Sequence, residues 1–81
     1  MTANRPSRVL DVSGLEAPEP MVRALSALRE LPRGSQLVLQ HRRVPVPLLG
    51  MLDEMGFRHR SRPGTTTAVE VLIWHAGDPA P

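Results

Sequence analysis

The 81-residue sequence contains no cysteine. That excludes disulfide scaffolds, thiol catalysis, persulfide chemistry and Cys-ligated zinc or iron–sulfur sites. Lysine is absent as well: all ten basic residues are arginine, whose planar fork suits carboxylate and phosphate. Aromatics are nearly missing, with one Phe (Phe57), one Trp (Trp74) and no Tyr, so Leu, Val, Met and Ala must build the core. No apolar run reaches the roughly 18 residues that a membrane helix needs. Met1–Pro6 holds no apolar secretory stretch, and the expectation is a cytoplasmic protein that touches no membrane. A net charge of +2 is too small to mark a nucleic-acid binder by itself.

What remains is ordinary globular chemistry, 41% apolar and 22% charged, which rules out collagen-like and fully disordered classes. One small domain is expected, and a chain this short buries only roughly 60% of its unfolded surface. Residues 1–6 and 76–81 are rich in Pro, Asn, Gly and Asp and read as flexible tails, leaving 7–75 as the folded region.

Within it, Val9–Val12 reads as a strand closed by Ser13-Gly14. The segment Leu15–Pro20 leads into a helix, since prolines fit a first turn whose N–H groups lack partners anyway. Glu16 and Glu19 suit the positive end of its dipole. Val22, Leu25 and Leu28 recur at helical spacing and are expected to face the core, flanked by Met21, Ala24 and Leu31. Gln36–Gln40 is apolar enough for an interior strand. His41–Val44 connects it to a second helix opened by Pro45 and Pro47, with Leu48, Leu49, Leu52 and Met55 inward and Gly56 as its C-terminal stop. Phe57–Arg62 and Thr66–Trp74 read as two more strands around a Pro63-Gly64 turn. The order β-α-β-α-β-β implies an α+β two-layer sandwich: two helices on one face of a four-stranded mixed sheet, the other face open.

The stretch Leu10-Asp11-Val12-Ser13-Gly14-Leu15-Glu16-Ala17-Pro18-Glu19-Pro20 resembles the opening of the TusA/SirA sulfur-carrier superfamily, which reads Leu-Asp-x-x-Gly-Leu-x-Cys-Pro-x-Pro. The element order is similar too. The carriers' nucleophilic cysteine falls on Ala17, so this chain cannot relay a persulfide. A second segment, His41-Arg42-Arg43-Val44-Pro45-Val46-Pro47-Leu48, together with Gly56-Phe57, resembles a related bacterial family of unknown function that lacks that cysteine. The resemblance implies a TusA-like binding or adaptor domain in respiratory or redox metabolism, in nitrogen-oxide settings. It also implies that the helix start is what a partner meets.

Each candidate residue also has a plainer role. His41, at a strand end where open α/β sheets hold ligands, either binds haem iron, a metal or an anion, or simply fixes its loop. Met51 and Met55 lie at i, i+4 near it, a pairing that is usually core filler but could supply a thioether ligand for haem or copper. His59 shares the phase of Phe57 and reads as a core histidine, whereas His75 reads as exposed. Arg42, Arg43, Arg58, Arg60 and Arg62 offer an anionic or RNA surface, but stacking platforms for bases are missing apart from Trp74. Trp74 is expected on the open face, as an interface residue or packed there on the chain's own tail. No nucleophile turn, phosphate loop or paired acids appear. The expected function is therefore a non-enzymatic module with a protein partner. Its contact surface comprises Glu16, Ala17, Pro18, Glu19, Pro20, His41, Arg42 and Arg43, with Trp74 on the open sheet. The alternatives are haem or metal held by His41, with no cofactor as the first reading, and then RNA on the Arg face. The oligomeric state is left open.

Overall fold

A computed structural model describes residues 5–81; positions 1–4 of the expected N-terminal tail lie outside the described residues. The elements run β1 (Ser7–Asp11), α1 (Glu19–Arg29), β2 (Gln36–His41), α2 (Val46–Leu52), β3 (Phe57–Pro63) and β4 (Val69–His75). The strands form one mixed sheet in the order β1-β2-β4-β3. β1 and β2 are parallel, and β4 is antiparallel to both β2 and β3. This is the expected α+β fold with β-α-β-α-β-β order. β2, the apolar strand, is interior as its composition predicts.

The period of two along each strand decides which side chains meet the helices. Val12, Leu37, Leu39, Phe57, Val71 and Ile73 share one buried cluster with Ala24, Ala27 and Leu28 of α1 and Leu48 and Leu52 of α2. Both helices therefore cover the same face. Each buried Leu or Ile in this cluster contributes about 2 kcal/mol of apolar burial. Val38, Leu72 and Trp74 alternate onto the opposite face and form a separate cluster.

Four expectations are corrected in detail. Val22 is not a core residue but 51% exposed. It lies about 160° around α1 from Ala24, and the small side chains of Ala24 and Ala27 make the close contact with the sheet instead. Met51 and Met55 are exposed rather than core filler, because Leu48 and Leu52 take the inward positions and α2 ends at Leu52. Gly56 adopts φ +86, as a chain reversal requires, but it follows a further turn after the helix rather than capping it. His75 is half-buried rather than exposed: its Nε2 lies 2.7 Å from the Leu31 carbonyl oxygen and its ring is 4.8 Å from that of Phe57. It faces the helices because it continues the phase of Val71 and Ile73. His59 follows the phase of Phe57, as expected, and is half-buried.

Candidate functional site

β1 and β2 are parallel neighbours, so their connections to α1 and α2 leave the same end of the sheet. Ligands of open α/β sheets collect at such carboxyl ends. The first connection is fixed by Asp11, whose Oδ1 accepts from the Ser13 backbone N–H at 2.9 Å and from the Ser13 hydroxyl at 2.6 Å. The Ser13 hydroxyl and then its backbone N–H hold the Asp11 carboxyl below its ordinary pKa. The Leu15 N–H donates back to the Val12 carbonyl at 3.1 Å, and the Ala17–Pro18 peptide is cis. The second connection leaves His41 through Arg42 and Arg43 to Pro45. Pro18 and Pro45 precede the two helices, and neither helix start has a side-chain cap.

Between these connections lies a cleft of about 350 Å³, a volume within the range of small-ligand sites. Leu15, Ala17, Met21, Leu39 and Leu48 give it apolar walls, Pro18 and Pro45 stand at the helix starts, and His41, Arg42 and Arg43 supply its polar atoms. The structure thus brings together two stretches far apart in sequence that were both expected to meet a partner. Glu16 and Glu19 do not line it: both are exposed, and Glu19 pairs with Arg23 at 3.6 Å along α1. Met21, Leu39 and Leu48 are wall residues the sequence reading did not single out. Their signal was present in apolar positions one turn inside each Pro-x-Pro start and at the end of β2.

His41 belongs to β2 rather than to the connection, and it is 6% exposed. Its Nδ1 accepts the Arg43 backbone N–H at 3.3 Å. Burial first, then the positive charges of Arg43 and Arg42, hold its pKa below the ordinary value. The ring is therefore neutral at pH 7 with its proton on Nε2, and it offers a donor. A metal-binding histidine needs the reverse: a lone pair toward the ion and an N–H toward a carbonyl or carboxylate. Here the second nitrogen faces a donor, so the ring as placed does not suit haem iron or another metal. Met51 and Met55 do not line the cleft. Among the described residues no group of three or more His, Cys, Asp or Glu could hold an ion.

Trp74 is on the other face, as its phase predicts, and at the other end of the sheet. It pairs with Gln36, whereas His41 pairs with Val69. It is 7% exposed, so neither it nor any base-stacking platform is presented there. The arginines of β3 are engaged: Arg62 bonds Glu70 at 2.9 Å, Arg58 meets Asp53 at 3.4 Å, and Arg60 donates to the main-chain oxygen of Pro81 at 2.8 Å.

Residues 9–75 match the model of a family described as an uncharacterized conserved protein, DUF2249. The chain belongs to that family. The DUF2249 match runs from β1 to the end of β4 and so takes in both connections, every wall of the cleft and His41. It stops before Ala76. No curated protein and no solved structure matches the chain. Among the described residues no helix is long and apolar enough to cross a membrane.

Proposed function

We propose that this DUF2249 chain is a small non-enzymatic binding or adaptor module that seats a segment of a partner protein in the cleft between the two strand–helix connections. The observation that carries the reading is the composition of that cleft: apolar walls beside two exposed guanidiniums and one buried neutral imidazole. Apolar walls gain by burying a partner's apolar side chain. Arg42 and Arg43 at the rim suit a carboxylate next to it, and His41 Nε2 adds a donor. The fitting occupant is an apolar side chain flanked by Asp or Glu. Ala17 supports the absence of chemistry, because a methyl group stands where a nucleophile would be needed. The reading further takes the chain to be bacterial, cytoplasmic and kin to the TusA/SirA carriers, with a place in redox metabolism. The Leu10–Pro20 stretch and the β-α-β-α-β-β order support that kinship.

Peptide display on the folded protein tests the proposal. Selected peptides are expected to carry an apolar residue beside an acid. They should lose at least about tenfold in affinity, near 1.4 kcal/mol, on Ala17→Phe, which fills the cleft from an exposed position, and on Arg42→Ala/Arg43→Ala. Peptides without that pattern, or binding indifferent to both variants, would contradict it.

A further inference from the structure

Residues 79–81 are bonded from both edges of the sheet face opposite the helices. Val38, Leu72 and Trp74 on that face are 8%, 2% and 7% exposed, although no helix lies over them. After β4 the chain reverses. The Ala76 N–H donates to the Gly56 carbonyl at 2.9 Å, and the Asp78 N–H donates to the His75 carbonyl at 3.1 Å. The Asp78 carboxylate then accepts the Gly34 N–H at 2.7 Å and lies 4.0 Å from Arg33. Beyond this anchor, the guanidinium of Arg5 donates to the Pro79 carbonyl and that of Arg60 to the main-chain oxygen of Pro81. Arg5 precedes the edge strand β1, and Arg60 lies on the opposite edge strand β3. A segment gripped from both edges crosses the two middle strands, β2 and β4, where Val38, Leu72 and Trp74 stand.

The chemistry of this grip suits the Pro-Ala-Pro segment it holds. Proline has no N–H to donate, so an extended Pro-x-Pro segment is recognised through its carbonyl oxygens and its ring faces. Arginine donors and an aromatic floor supply both. The resident segment Pro79-Ala80-Pro81 leaves two buried polar atoms at the same end of the sheet without partners among the described residues, Arg5 Nη1 and Gln36 Oε1. Gln36 is the cross-strand neighbour of Trp74. The site thus offers more hydrogen bonding than its own tail uses.

We infer that the open face is a second binding site, separate from the cleft, for an extended Pro-x-Pro segment of a partner protein, and that residues 79–81 occupy it as an internal competitor. The bonds from Arg5 to the Pro79 carbonyl and from Arg60 to the Pro81 main-chain oxygen set its register, and Val38, Leu72 and Trp74 form its floor. A tail tethered in place acts at an effective concentration on the order of millimolar, so the site opens to a partner only when the tail leaves.

Trp74 is the only tryptophan, so its emission reports this face directly. In a chain stopped after Asp78, emission is expected to move to longer wavelength and acrylamide quenching to rise, with the far-ultraviolet circular dichroism kept. The peptide Gly-Asp-Pro-Ala-Pro added to that chain should reverse both changes saturably. Gly-Asp-Ala-Ala-Ala should not, and the full chain should respond at least about tenfold more weakly. Should the shortened chain lose its fold, Arg60→Gln in the full chain carries the test through increased quenching of Trp74. Unchanged emission in both variants would overturn the inference. So would a shortened, folded chain whose shifted spectrum no Pro-x-Pro peptide restores. Neither result touches the cleft, which is read by Ala17→Phe.

Discussion

The two faces of β4 are buried by different means. Ile73 is sealed by two helices whose positions follow from the 3.6-residue pattern of α1 and α2, within a single cluster of twelve buried residues. Leu72, the preceding residue, is buried almost as fully, but in a cluster of three on the face where Arg5 and Arg60 hold the main chain of residues 79–81. Equal burial does not mean equal permanence. One cover is built into the fold; the other, on the inference above, lifts while the sheet stays folded. The same contrast separates the two proposed ligand surfaces: the cleft stands open at the strand ends, whereas residues 79–81 are bonded from both edges of the opposite face.

Substitutions along β4 break this comparison most sharply. Ile73→Ala should cost about 2–5 kcal/mol in urea unfolding, whether or not residues 79–81 are present. Leu72→Ala should fall at the lower end of that range in the full chain, and its cost should shrink in the chain stopped after Asp78. Equal costs in both backgrounds would show that the tail does not cover Leu72.

Gly64→Ala probes the hairpin that carries β3 and its arginines. An added Cβ would stand 2.2 Å from the Thr67 carbonyl oxygen, so backbone must move, at a cost of about 1–3 kcal/mol. The loss should appear in the denaturation midpoint and leave peptide binding at the cleft intact.

Protonation distinguishes the cleft from the open face. The pKa of His41 is lower folded than unfolded, so the unfolded chain binds more protons and stability rises with pH across the interval between the two values. Its contribution is present in full above the ordinary value of 6.5 and is lost as pH falls through the folded value. Denaturation midpoints measured from pH 7.5 downward should decline below about 6.5, and His41→Gln should flatten that part of the profile. Trp74 emission should be indifferent to this titration.

The smallest effect expected on stability is that of Arg42→Ala and Arg43→Ala. Both side chains are exposed, and stability should stay within about 0.5 kcal/mol of the parent while affinity for acidic peptides falls. A large loss of stability would make them structural residues rather than ligand contacts.

The sequence made the architecture legible where local physics decides. The alternation in 69–74 assigned Val71 and Ile73 to one face and Leu72 and Trp74 to the other, because strand side chains alternate whatever surrounds them. The two Pro-x-Pro segments marked both helix starts, and the apolar run 37–39 marked the interior strand. The α1 stripe departs from the spacing of Val22, Leu25 and Leu28, because the small side chains of Ala24 and Ala27 allow the closer contact with the sheet. His41 extends β2 by one residue beyond Gln36–Gln40, the strand marked in the sequence. What makes burial tolerable is the backbone N–H of Arg43, two residues ahead, together with a neutral ring. The walls of the cleft and the anchored tail were not legible for a different reason. They depend on residues roughly 25 to 75 positions apart, such as Ala17 and His41 lining one cleft and Arg5 bonded to Pro79, and these leave no local period.

The central claim is that the cleft between the two strand–helix connections binds an apolar group carrying a carboxylate. Backbone amide chemical shifts, followed while 4-methylpentanoate is titrated into the full-length protein at pH 7.5, test it most directly. The account predicts saturable shifts confined to residues 15–21 and 39–48, absent in Ala17→Phe and weakened in Arg42→Ala/Arg43→Ala. No shifts up to the solubility of the acid, or shifts centred on Val38, Leu72 and Trp74, would contradict it.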